Sequence, residues 1–222
     1  MARGYARGME KRAGEACGWG LFGLTGLVGD ALRALLLPDD SLAWAVTRQP
    51  PPAGDGLPWL AGSLPGLADP PPVQAIASLG PLDAFTDWFE RSSLAPERLV
   101  VLGSTSRHGK VGSPDPEERA LAGRLADCEA RLAAACERRG IALTLLRPTL
   151  IWGRGRDRNL SRWVALARRW RWLPLPRTAR GLRQPVHADD VAAAVLAALR
   201  APAPVPGSFD LPGGETLPYD AM

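Results

Sequence analysis

The apolar positions of this chain fall into short runs, broken by glycine, proline and charge, that alternate between strand-like and helix-like spacing. Trp19 to Phe22 runs into Gly23-Leu24-Thr25-Gly26-Leu27-Val28-Gly29, three glycines separated by two residues each. Leu27, Ala31, Leu32, Leu35 and Leu36 then recur at helical spacing, which predicts a helix over 27–37. Pro38-Asp39-Asp40 ends that period, and Leu42 to Thr47 reads as a buried second strand. Further strands are predicted at Trp59-Leu60-Ala61, 73–78, 98–102 and 141–146, with helices over 82–91, 160–172 and 191–199. A long helix opens at Asp115-Pro116, a cap followed by a first-turn proline, and closes at Gly140. Asp189 or Asp190 is expected to cap the last helix. The stretch 49–72 is so dense in proline and glycine that it leaves no room for a second full crossover helix.

Strand, glycine turn and helix in succession predict an α/β fold of Rossmann type, a doubly wound parallel sheet. A strand that turns sharply into a helix needs glycine for its backbone angles. Glycine also lets a pyrophosphate approach the amides at the helix N-terminus. The run from Gly18 to Gly29 is therefore expected to be the phosphate-binding turn of a dinucleotide site. Its acidic partner, which would hold the ribose 2′-hydroxyl about 20 residues on, is missing; Arg48 stands there instead. An arginine suits a 2′-phosphate and hence NADP(H), and it equally suits a solvated strand end. Gly103-Ser104-Thr105-Ser106 follows the fifth strand, where open α/β sheets bind their ligands, and it equally reads as an ordinary polar turn.

At 222 residues and 46% hydrophobic content the chain can bury one sizeable core, so residues 16–222 are expected to form one domain. Residues 1–15, basic and with three glycines, are expected to be a mobile arm. No apolar run approaches the roughly 20 residues of a membrane span and no signal-type stretch is seen, so a soluble cytoplasmic protein is expected. Three cysteines without a close pair argue for buried thiols rather than disulfides or zinc. Capping explains the acids beside His187, so no metal is expected. Between Arg147 and Arg183 stand eleven arginines against one acid, Asp157, which fits an anionic small-molecule partner. Trp163 and Trp170 in that segment read as core or interface positions rather than a base-stacking platform.

Five pieces in one order carry a resemblance: the glycine turn; Gly103-Ser104-Thr105-Ser106; Leu146-Arg147-Pro148-Thr149-Leu150-Ile151-Trp152-Gly153; Val186-His187-Ala188-Asp189-Asp190; and Leu211-Pro212-Gly213-Gly214-Glu215-Thr216. Together they resemble the NAD-dependent epimerase/dehydratase family, in the extended and atypical branch of the short-chain dehydrogenase/reductases. The resemblance implies a Rossmann sheet with a small C-terminal substrate lobe, here from 153–186 and 200–222 and cut short at Met222. It implies that Gly23, Thr25, Gly26, Leu27, Val28, Gly29, Ser78 and Gly80 line the cofactor. It also implies that Arg147, Pro148 and Thr149 lie by the nicotinamide, and that Asn159, Arg183 and His187 border a substrate such as a nucleotide sugar.

One departure is chemical. Catalytic members carry Tyr-x-x-x-Lys on the long helix; aligned on Glu129, those places hold Leu121 and Leu125. With only Tyr5, Tyr219, Lys11 and Lys110 in the chain, no such pair can form. Ser63 likewise stands where an acid often contacts adenine. In an enzyme of this kind Ser104, Thr105 or Ser106 would orient the substrate oxygen, and His108, Lys110 or His187 would have to carry the proton. Three functions stay open: an NAD(P)-dependent epimerase, dehydratase or oxidoreductase; a catalytically silent dinucleotide-binding regulator or scaffold; and a nucleic-acid-binding module using the arginine-rich segment.

Overall fold

The computed structural model describes residues 17–38, 40–49, 56–157, 168–169 and 181–218. The expected arm over 1–15, most of the helix expected over 160–172, Trp163, Trp170 and Asn159 lie outside the described residues. In chain order the elements are β1 (Trp19–Phe22), α1 (Leu27–Leu35), β2 (Leu42–Thr47), β3 (Trp59–Ala61), β4 (Ala75–Ser78), α2 (Leu82–Arg91) and β5 (Arg98–Leu102). They continue as α3 (Ser106–Gly109), α4 (Pro116–Arg139), β6 (Ala142–Pro148), β7 (Ile151–Trp152), β8 (Leu182–Arg183), β9 (Val186–His187), α5 (Ala188–Arg200), β10 (Gly207–Leu211) and β11 (Leu217–Pro218).

Seven strands form one parallel sheet in the order β10-β6-β5-β4-β1-β2-β3. The chain leaves β1 for β2 on one side and later returns to place β4 on the other, so the winding reverses between β1 and β4. In open α/β sheets that reversal opens a crevice at the strands' carboxyl ends. Helices α1 and α5 cover one face, where Leu21, Leu32, Val100, Val191 and Val195 are buried together. Helices α2 and α4 cover the other, over an aromatic cluster in which Phe22 lies 4.7 Å from Trp88 and 5.4 Å from Trp44, centroid to centroid.

No helix spans the described chain from β3 to β4; irregular chain covers the aromatic cluster there. Trp88 Nε1 donates to Leu67 O and Trp44 Nε1 to Pro71 O, so each buried indole satisfies its N–H on that segment. The long helix starts and stops as its sequence dictates: Asp115 accepts from the Glu117 amide at 2.8 Å, and Gly140 takes the left-handed φ of 67° that a closing residue needs.

Two expectations are corrected. The last helix begins at Ala188, and its cap is His187, whose Nδ1 accepts from the Asp189 amide at 3.2 Å; neither aspartate caps it. An imidazole one residue before the helix reaches the amide of the helix's second residue as an aspartate would, while the Asp189 carboxylate is drawn away by Arg154 at 2.7 Å. Of the thiols only Cys128 and Cys136 are buried, and Cys17 is exposed at the start of β1. Burial pushes the Cys136 thiol up to about 11, which keeps it protonated and unreactive at neutral pH.

Candidate functional site

At the reversal point between β1 and β4 a cleft of about 650 Å³ opens over the glycine turn. The three glycines divide the labour there. Gly23 has a left-handed φ of 81°, and a Cβ on it would sit 2.8 Å from the Gly80 amide nitrogen, so both conformation and crowding exclude a side chain. Gly29 faces inward: a Cβ would lie 2.3 Å from Gly23 O, because α1 packs directly on the turn. Gly26 has an ordinary φ of −77°, and a Cβ there would touch only Gly23 O, at 3.2 Å. It stands at the N-cap of α1, an end that no side chain caps. That end, where Gly26 and Leu27 line the cleft, carries the partial positive charge of a helix N-terminus.

Gly23, Thr25, Gly26, Leu27, Arg48 and Gly80, all expected from sequence, line the cleft, as do Thr47 and Ser63. Val28 and Gly29 are buried behind it in the packing of α1. Ser78 is fully buried at the end of β4, in register with Phe22, and its hydroxyl lacks a hydrogen-bond partner. Sequence reasoning missed Ile151, Arg156 and Asp157, which also line the cleft. The signal available was the arginine- and glycine-rich loop after β7, whose path cannot be read from spacing.

The second half of the expected site is built differently. Arg147 turns its guanidinium onto the buried Glu129, Nε to Oε1 at 2.9 Å and Nη2 to Oε2 at 2.8 Å, a two-pronged pair that raises the arginine's pKa further. Arg107 Nε also stands 2.8 Å from Glu129 Oε2, at an angle that leaves its N–H without a hydrogen-bond acceptor. Thr105 donates its amide to Pro148 O at 3.1 Å, and the Ser104 hydroxyl accepts from the Ser106 amide at 3.2 Å. The Thr149 hydroxyl donates to Gln184 O, and its amide to Leu211 O. None of Ser104, Thr105, Ser106, Arg147, Pro148 and Thr149 lines the cleft over the glycine turn.

The remaining candidates scatter. Arg183 is exposed on β8. His187 is half-buried, in edge contact with Trp152 at 4.8 Å and so close to Gly153 that a Cβ there would fall 2.3 Å from its Nε2. Lys110 pairs with Glu118 at 3.0 Å, and His108 stands 3.8 Å from Asp210. A second hollow of about 360 Å³ between α3 and α4 is lined by Arg107, His108, Val111 and Arg119 with the small residues of α4. Leu121 and Leu125 are each half-buried, and Leu125 packs against the aromatic cluster.

A model of the NAD dependent epimerase/dehydratase family matches residues 84–211, more than half of the chain. The chain belongs to that family. Among solved structures, MoeE5 in complex with UDP-glucose and NAD is 20% identical, with a TM-score of 0.75 over 91% of this chain and 78% of that one. The NAD dependent NDP-hexosamine 5,6-dehydratase TunA is 17% identical with a TM-score of 0.73, over 93% and 78% of the two chains. UDP-N-acetylglucosamine 4-epimerase from Bacillus cereus is 17% identical with a TM-score of 0.66, over 91% and 78%. At such identities the likeness establishes the shared fold. No curated protein matches the sequence. Among the described residues no helix of this family member is long and apolar enough to cross a membrane.

Proposed function

We propose that this family member binds NAD(P) in the cleft over the glycine turn and recognises a nucleotide sugar beside it, with little proton-transfer chemistry of its own. The observation that carries the reading is the uncapped N-terminus of α1 behind Gly26, opening into a cleft that also presents Arg48. The cleft fits a dinucleotide: its floor is glycine, and Phe22, Val46, Leu64 and Leu79 supply apolar walls. Arg48, in place of an acid, favours the 2′-phosphate of NADP(H). Solved relatives are described in complex with UDP-glucose or UDP-glucuronic acid and with NAD, which supports a nucleotide sugar as the anionic partner.

When bound, the nicotinamide supplies a hydride acceptor or donor. The chain's own residues hold the phosphates at α1 and set the ribose against Arg48. The family's tyrosine and lysine are replaced by Leu121 and Leu125, so an acid/base contribution worth roughly 10²- to 10⁴-fold is missing. Turnover by the unmodified protein is accordingly expected near background. This reading favours binding over full catalysis, and no observation on the fold favours a nucleic-acid partner.

The test is a calorimetric titration of NADP+ and NAD+ into the parent and into Gly26→Val. The φ at 26 is open to any residue and a Cβ there meets one oxygen at 3.2 Å, so the variant should fold with a modestly lowered melting temperature while losing affinity about a hundredfold or more. A folded Gly26→Val that binds like the parent would remove the glycine turn from the site.

A further inference from the structure

The loop from Gly153 to Asp157 carries three successive residues with positive φ, at 119°, 54° and 63°. The middle one, Arg154, is the only non-glycine residue in that conformation among the described residues. L side chains adopt it rarely, so the surroundings must hold it there. They do so by charge: Arg154 Nε lies 2.7 Å from Asp189 Oδ1 in the first turn of α5, and its Nη1 lies 3.3 Å from Asp30 Oδ2 on α1. One arginine thus ties the loop across the starts of both helices on this face of the sheet.

The consequence falls two residues later. Arg156 is laid over the glycine turn, with Nη2 donating to Thr25 O at 3.3 Å and Nη1 3.6 Å from Asp30 Oδ1, and it lines the same cleft as Gly26. Asp157 is nearly buried beside it and accepts from the Gly153 amide at 3.4 Å, which closes the loop on itself. That wall therefore carries the carboxylates of Asp30 and Asp157 near the place an anion must occupy. Arg154 and Arg156 both pair with Asp30; Asp157 lines the cleft beside Arg156, and of the two arginines only Arg156 lines it.

We propose that Arg156 is a pyrophosphate-binding residue of this site, held over the helix N-terminus by the Arg154 tie. The proposal rests on the dinucleotide reading above. It assigns the cationic partner of the phosphates to the loop after β7, while Arg48 follows β2. Arg156 presents a half-exposed guanidinium at the turn, where its fork can meet two phosphate oxygens while the α1 amides meet others. Because the pyrophosphate is common to every adenine dinucleotide, Arg156 should act on affinity without choosing between NAD and NADP.

Calorimetry with NAD+, NADP+, ADP and adenosine on the parent, Arg156→Gln and Arg156→Lys tests this. Arg156→Gln should weaken NAD+, NADP+ and ADP alike, by about tenfold, and leave adenosine unchanged. Arg156→Lys should recover only part of the loss, since it keeps the charge but not the two-pronged fork. Equal affinity of the Arg156→Gln variant and the parent would overturn the proposal, as would a loss that extends to adenosine, which would mark a purely structural clasp. A parent that binds none of the dinucleotides would instead bring down the underlying reading, and the proposal with it.

Discussion

The two halves of the sheet's carboxyl edge use the same kinds of residue to opposite ends. Around β1, β2 and β4 the polar and small residues face outward into open volume: an uncapped helix start, Gly26, Thr25, Arg48 and Arg156 line one cleft. Around β5 and β6 they face one another. Arg147 and Arg107 converge on Glu129, Thr105 is bonded to Pro148 O, and Thr149 ties β6 to Leu211 and Gln184. The first half lines open volume, whereas the second is arranged to hold itself together. The difference teaches that along one sheet edge the same residue types can border a cleft or be consumed in tying neighbouring strands and loops.

The sharpest way to break this comparison is to remove Glu129. Its carboxylate is almost fully buried and Arg147 nearly so, and stripping one partner from a buried pair costs about 3–5 kcal/mol because the other charge is left without compensation. Glu129→Ala should lower the melting temperature by about 10 °C, read by thermal unfolding. A drop of a degree or two would mean that the pair is incidental, and that Arg147 is free to serve a ligand.

A smaller effect is expected from returning the family's acid/base pair. Leu125 packs on the aromatic cluster, so Leu121→Tyr with Leu125→Lys should cost about 1–3 kcal/mol of stability. If the second half still aligns a sugar, the double variant should raise cofactor reduction with UDP-sugars at least tenfold over the parent, followed by absorbance of the reduced nicotinamide. A folded, cofactor-binding double variant as inert as the parent would show that this half no longer positions substrate.

The smallest change sharpens the first half alone. Arg48→Ala should weaken NADP+ by about tenfold, roughly 1.4 kcal/mol, and leave NAD+ nearly untouched. Equal losses for both would refute the 2′-phosphate assignment.

Much of the fold was legible because its signals are local. The period of α2, the cap and closing glycine of α4 and the apolar run of β2 each lie within a few residues of their cause. The glycine turn belongs only partly to that class: Gly29 is crowded by Gly23 and Leu24 close by in sequence, whereas Gly23 is crowded by Gly80 beyond β4. What could not be read depends on partners far along the chain. Arg147 pairs with Glu129 eighteen residues away, Arg154 reaches Asp30 at a separation of 124, and Arg156 reaches Thr25 at 131. The cap of α5 was missed for another reason. A histidine can accept from an amide through Nδ1 as a carboxylate does, and two aspartates beside it drew the assignment to themselves.

The unequal duties of the three glycines have a consequence for descent. Gly23 and Gly29 are fixed by backbone contacts that exist whether or not anything is bound, so any lineage that keeps the fold must keep them. Gly26 is under no such compulsion: its angles are ordinary and a small side chain would meet a single oxygen. Codon 26 is thus the one of the three that drift could change first, before the architecture recorded any loss.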